Sequence, residues 1–365
     1  MNQSIALVFM LFLFGISSAA ESELLTVQNV PSAIPIKPTS NQLIDFSPTL
    51  AAKYLDIASL NWQKDRNFVT CHTNMAFLMA RPALETITES SGEVREFFEQ
   101  YIQQRWASDS KKPKQGDYRT IVVATGLVFN DLQTNGKLST VSHQSLRLMW
   151  ETQRDDGGWD WAKCGWAPME IDDHYGVTLA ALTSSLAYTS NTKDEDTQSG
   201  IDKIITYLKA TPAPSLHHRI MLLWASRRLE GILTKDQQET IMHELSSSQL
   251  PDGGWSTAKL LADWSDFKRK DNTPPILNQS DAYATGLSLV VLREFGHSSD
   301  SPIVAKALKW LNHHQDSDGK WYTPSPSKDS KQYFTNIGTA FAVMGLQAHG
   351  ELPGWPLVRA EPKFD

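Results

Sequence analysis

Apolar and polar positions along the chain mark out two kinds of helical segment that alternate in order. The first kind carries one charged face: Leu50 to Trp62, Val94 to Trp106, Ser142 to Gln153, Ile201 to Ala210, Lys235 to Ser248 and Ile303 to His314. An apolar stripe opposite a charged one predicts a helix with one face in water. The second kind is apolar on nearly every side: His72 to Ala80, Tyr118 to Phe129, Asp173 to Tyr188, Leu216 to Leu229, Asp281 to Phe295 and Asn336 to Ala348. A helix without a polar face must be buried all round, and Ala124, Gly126, Ala180, Ala284, Gly286 and Gly338 are small enough to let neighbours approach closely. Few alternating β-branched runs argue for strands. Six half-wet segments interleaved with six dry ones predict an all-α (α/α)6 toroid over residues 47–350, six inner helices ringed by six outer ones.

The flanks read differently. The first twenty residues hold no charged side chain, and the apolar run Ile5 to Ile16 ends in small residues up to Ala20. That pattern predicts an export signal over residues 1–20, too short to span a bilayer, and hence a periplasmic or secreted protein. Pro31, Pro35 and Pro38 among Ser, Thr and Asn predict a flexible tether over 21–46, and residues 351–365 form a tail. The balance of 34 Lys+Arg against 41 Asp+Glu lacks the basic footprint of a nucleic-acid binder. Cys71 and Cys164 allow at most one internal disulfide, so the core must supply the stability.

One phrase occurs three times: Gln153 to Trp159, Gln249 to Trp255 and Gln315 to Trp321, each with an Asp-Gly pair between, at Asp156-Gly157, Asp252-Gly253 and Asp318-Gly319. Each stands where a half-wet helix ends. Gly tolerates the positive φ of a helix-ending turn, and the Trp can fold back as an apolar plug. After the plugs, dry helices open with Asp172 and Asp173, with Asp281, and with Asn336, residues suited to cap orphan N–H groups.

At these residues the chain resembles the terpenoid cyclase and protein prenyltransferase superfamily, whose QW repeats read Gln-x(2 to 5)-Gly-x-Trp, with the squalene-hopene cyclases the nearest comparison. The resemblance implies cyclisation of an isoprenoid or similar apolar polyene, started by protonation and needing no cofactor. Carried over by position from the family's Asp-x-Asp-Asp, it implies Asp172 as proton donor with Asp173 and Glu170 as supports. Glu170 departs from the family, which has Asp there.

In such a ring the N-termini of all six inner helices lie at one mouth, roofed by the long connections Asp155 to Glu170, Pro251 to Ser280 and Asp316 to Thr335. The acids Glu170, Asp172 and Asp173 fall there. An alkene is so weak a base that only an acid kept protonated by crowding and dryness could serve it; the plainer reading is that Asp173 caps its helix and Glu170 favours its dipole. His174 could tune that acid pair. Tyr175, Asp281, Tyr283, His218 and Arg219 are candidate substrate contacts, and Trp166, Trp224 and Trp264 offer aromatic faces to a cation. Cys71 beside His72 at a helix start could be a nucleophile or ligand, while a disulfide to Cys164 and two quiet thiols stay open. The spacing matches no zinc motif, so no metal is expected. The expected partner is an isoprenoid-like small molecule or a saccharide, with peripheral membrane contact. Two other readings compete: an exported polysaccharide lyase-like or carbohydrate-binding toroid, and a non-catalytic lipid- or protein-binding module.

Overall fold

The dry segments become helices with almost no exposed side chain, and the half-wet ones lie over them. A computed structural model describes residues 24–39, 41–188, 195–265, 267–328 and 333–353. In chain order the helices are α1 (Pro48–Arg66), α2 (Asn74–Ala80), α3 (Glu93–Gln100), α4 (Arg119–Thr134), α5 (Thr140–Glu151), α6 (Asp173–Ala187), α7 (Glu195–Ala210), α8 (Leu216–Ser226), α9 (Lys235–Ser247), the single turn α10 (Thr257–Leu260), α11 (Ala282–Glu294), α12 (Pro302–Asn312) and α13 (Phe334–Ala348). The inner helices pack in sequence, α2 on α4, α4 on α6, α6 on α8, α8 on α11 and α11 on α13, and α13 returns to α2. That last contact closes the (α/α)6 toroid. Outside it, α5 covers α4, α7 covers α6, α9 covers α8, α12 lies over α11 and α13, and α1 lies over α13 and α2. Among the described residues no helix is long and apolar enough to cross a membrane.

The lumen is filled with side chains. Trp224, fully buried, has its ring 6.0 Å from Phe129 and 6.4 Å from Phe341. The tightest helix pair is α11 with α13, where a Cβ at Gly286 would run into the Phe341 carbonyl. Glycine at 286 is what lets the two backbones meet.

The repeated phrase fastens one outer helix to the next. Gln153 Nε2 donates to Gly157 O in its own turn and, at 3.0 Å, to Gly200 O of α7. Gln249 repeats this with Gly253 O and Ile303 O of α12, both at 2.8 Å. Gln315 bonds Gly319 O and, at 3.1 Å, Ser47 O at the cap of α1, so the third unit ties the end of the ring to its beginning. Gly157, Gly253 and Gly319 have φ between +89° and +98°, and a side chain there would strike the backbone of the next outer helix. Trp159, Trp255 and Trp321 are fully buried, and the last two donate Nε1 to Leu245 O and Leu311 O.

Several boundaries differ from the sequence reading. The helix expected to run to Trp106 ends at Gln100 and continues as a wider turn over Tyr101–Arg105. The last inner helix opens at Phe334, so Asn336 lies inside its first turn instead of capping it. The described residues of 24–46 have no helix, and they are held to the ring: Val27 N donates to Glu93, Asn61 Nδ2 to Pro31 O, and Leu43 N to Gln315 O. The expected export signal over 1–20 lies outside the described residues, as does most of the 351–365 tail.

Candidate functional site

All six inner helices begin on one side, and their first turns meet around the axis. Asp172, Ser215 and Asp281 cap α6, α8 and α11 by accepting from Tyr175 N, His218 N and Ala284 N. The first and last helix starts are joined by Asn336 Nδ2 donating to Thr73 Oγ1 at 3.0 Å. The roof is cross-tied: Lys270 Nζ donates to Cys164 O at 2.9 Å and Ser327 Oγ to Gly165 O at 3.0 Å.

Beneath that roof lies a buried polar group. Glu170, 7% exposed, closes the Trp166–Glu170 bridge in the first roof loop. Its Oε1 is 3.5 Å from Cys71 Sγ and 3.9 Å from His72 Nε2. Burial, with the Glu170 carboxyl behind it, pushes the Cys71 thiol well up, so it is a protonated donor and not a thiolate nucleophile. Neither Cys71, buried, nor Cys164, exposed, is in a disulfide. Next to them the phenols of Tyr118, Tyr175 and Tyr283 are all raised by burial. Tyr283 OH is 2.8 Å from His217 Nε2, and burial holds His217 neutral.

On the outer side of His72 stands an aromatic wall. Tyr333 stacks on His72 at 4.9 Å and on Trp166 at 5.2 Å, and Trp62 meets both His72 and Tyr333 edge-on. Trp62, Trp166 and Tyr333 are half-buried, so one side of the wall is reachable. A cleft of 210 Å³ lies against it, lined by Trp62, Tyr333, Tyr54, Asn336, Ile34 and Ile57 among others.

The acid assigned by the family motif sits apart from this group. Asp172 Oδ2 is 3.2 Å from His218 Nε2, whose Nδ1 faces Ser215 Oγ at 2.7 Å. Burial raises its carboxyl, but the His218 hydrogen bond and charge, the Tyr175 N–H and His174 outweigh that and hold it below the usual carboxylate range. It is therefore ionised, the state opposite to that of a donor. Asp173 does not cap α6; it accepts from Trp161 N and pairs with Arg154 and Lys163. His174 is buried, and burial followed by the His218 charge lowers it to about 4, so it is neutral.

The remaining candidates divide. Trp264 lies edge-on to His218 at 5.2 Å, at the rim beside Asp172. Arg219 is neutralised by Glu244 and Asp263, and Trp224 lies in the lumen away from the mouth. Asp281, raised to about 6 by burial, is taken up by Ala284 N and Thr257. Among the described residues no cluster of His, Cys, Asp and Glu could hold a metal ion. Sequence reasoning missed Tyr118 and Tyr333, whose only signal was their place at inner-helix starts, and it read Asn336 only as a helix cap.

Comparison with known proteins agrees with this architecture at one end of the chain. Residues 277–359 match the family described as the squalene-hopene cyclase C-terminal domain, a stretch that takes in α11, α12, the third QW unit and α13. Over that stretch the chain is similar to the terpenoid cyclases. No curated protein matches its sequence. A solved polysaccharide lyase is similar over 82% of this chain and 96% of its own, at 14% identity and a TM-score of 0.49.

Proposed function

We propose that this terpenoid cyclase-like toroid transfers a proton from Glu170 to a carbon–carbon double bond of an apolar, isoprenoid-like substrate held against the Trp62–Trp166–Tyr333 wall. The single observation that carries the reading is the position of Glu170, a buried carboxyl whose imidazole neighbour also forms the back of a half-exposed aromatic wall. The step requires the Glu170 carboxyl in its protonated form. Its O–H bond breaks as the alkene π pair forms a C–H bond, and the cation left on the neighbouring carbon is stabilised by the ring faces. The cation is quenched by ring closure and loss of a proton back to the Glu170 carboxylate, so substrate and product have equal mass. Asp172 serves this scheme as an ionised capping group at the rim. The saccharide reading draws on the Tyr283–His217 pair, but both are completely buried, whereas the aromatic wall can be reached. With export, lipid in an outward-facing membrane leaflet would be within reach.

The test is incubation with polyprenyl lipids, and separately with acidic polysaccharides, followed by mass spectrometry for isomers of unchanged mass or for unsaturated fragments. Glu170→Gln is expected to lower isomer formation by a factor of about 10² to 10⁴, the usual contribution of a general acid, with thermal unfolding nearly unchanged. Full turnover in Glu170→Gln, or sugar fragments in place of isomers, would overturn the reading.

A further inference from the structure

A line of hydrogen bonds runs inward from α1 to His72, and its first two links have a fixed direction. Tyr54 OH is 2.8 Å from Asn336 Oδ1, an atom that can only accept, so the phenol donates. The Asn336 amide reaches the next residue through its other end, with Nδ2 donating to Thr73 Oγ1 at 3.0 Å. Thr73 Oγ1 accepts there with one lone pair, and His72 Nδ1, 2.8 Å away, is an acceptor within reach of its own hydrogen. None of the four residues is more than 7% exposed, so water does not compete for these bonds. Burial also raises the Tyr54 phenol, which keeps the outer donor protonated.

We propose that Tyr54, Asn336 and Thr73 are positioning residues that hold neutral His72 in the tautomer with its proton on Nε2, so that the ring presents an N–H and not a lone pair to Glu170 Oε1. The consequence rests on the reading of Glu170 as the acid. An imidazole lone pair facing a carboxylic acid is the stronger base and would take the proton, leaving an ion pair unable to protonate an alkene. With Nε2–H pointing inward and Nδ1 already accepting from Thr73, His72 has no site for that proton. The thiol of Cys71 faces the same Oε1.

The test reads the tautomer directly and needs no substrate, so it stands whether or not Glu170 proves to be the acid. Protein labelled with ¹⁵N-histidine is examined by long-range ¹H–¹⁵N correlation at pH about 8, above the ordinary histidine range. His72 is assigned by loss of its signals in His72→Gln, or through its contact with the Trp62 ring 4.8 Å away. The expected pattern is a protonated Nε2 and an unprotonated Nδ1. A protonated Nδ1, a mixture, or an imidazolium would overturn the proposal. Asn336→Asp puts an acceptor where Nδ2 donates, so the Thr73 hydroxyl must turn to donate to it and offer its lone pair to His72. The ring proton should then move to Nδ1, and a folded variant with an unchanged pattern would also overturn the proposal. Should that variant not fold, the wild-type spectrum decides alone.

Discussion

His174 gives a pH dependence with a definite sign. An unfolded histidine titrates near 6.5 and the buried one near 4, so between these values the unfolded chain binds a proton that the native one refuses. Its contribution is complete above 6.5 and is lost as pH falls through 4, a span worth about 3 kcal/mol at roughly 1.4 kcal/mol per pKa unit. Asp281, raised to about 6, acts in the opposite sense. The native state keeps its proton, and the stabilisation present at low pH fades as pH rises through 6. The two partly offset each other, and His174→Phe should unmask Asp281. Urea unfolding at pH 7 and pH 4 is expected to show wild type losing about 3 kcal/mol relative to the variant; equal losses would refute the assignment. A second residue-scale prediction concerns Arg81, 1% exposed, whose guanidinium holds Asp56 at 2.9 and 3.2 Å. Asp56→Asn leaves that buried charge with only the more exposed Glu85, 3.2 Å away, as its anion and should cost about 3 kcal/mol in chemical denaturation. At this scale the sequence was a poor guide. Glu170 and Asp172 are two positions apart, and only the hairpin at Trp166 turns one inward while the helix cap leaves the other at the rim.

The elements were the most legible part, because their signals are local. The change from half-wet to dry segments placed all twelve ring helices in order, and the Gln-to-Trp phrase marked three turns. What the phrase does could not be read from it, since each Gln reaches a carbonyl 47 to 268 positions away. The function of that glutamine is testable. Gln249→Ala strips a donor from Gly253 O and from Ile303 O, and should cost about 1 to 3 kcal/mol in thermal unfolding. Gly253→Ala forces a side chain into φ +98° against the Lys306 carbonyl and should cost at least as much. If either variant matches wild type, the turn is not the fastener described.

At the scale of the molecule, closure is what gathers the site. The group at the mouth draws on residues as far apart as Thr73 and Asn336, 263 positions, and no local pattern announces such a meeting. Closure also predicts uniform protection. A stack of repeats frays at its ends, but here α1 and α13 are neighbours across the seam, so native-state hydrogen exchange should show their slowest amides as protected as those of α6. Faster exchange confined to α1 and α13 would mean that the ring opens there. The bond from Gln315 to Ser47 also bears on how the protein is made. During synthesis α1 and α2 leave the ribosome long before α13, the helix that shields them, and their oily surfaces must wait through nearly the whole of translation. A nascent chain of this design needs a holding factor, or a loose provisional partner, until its final coil arrives.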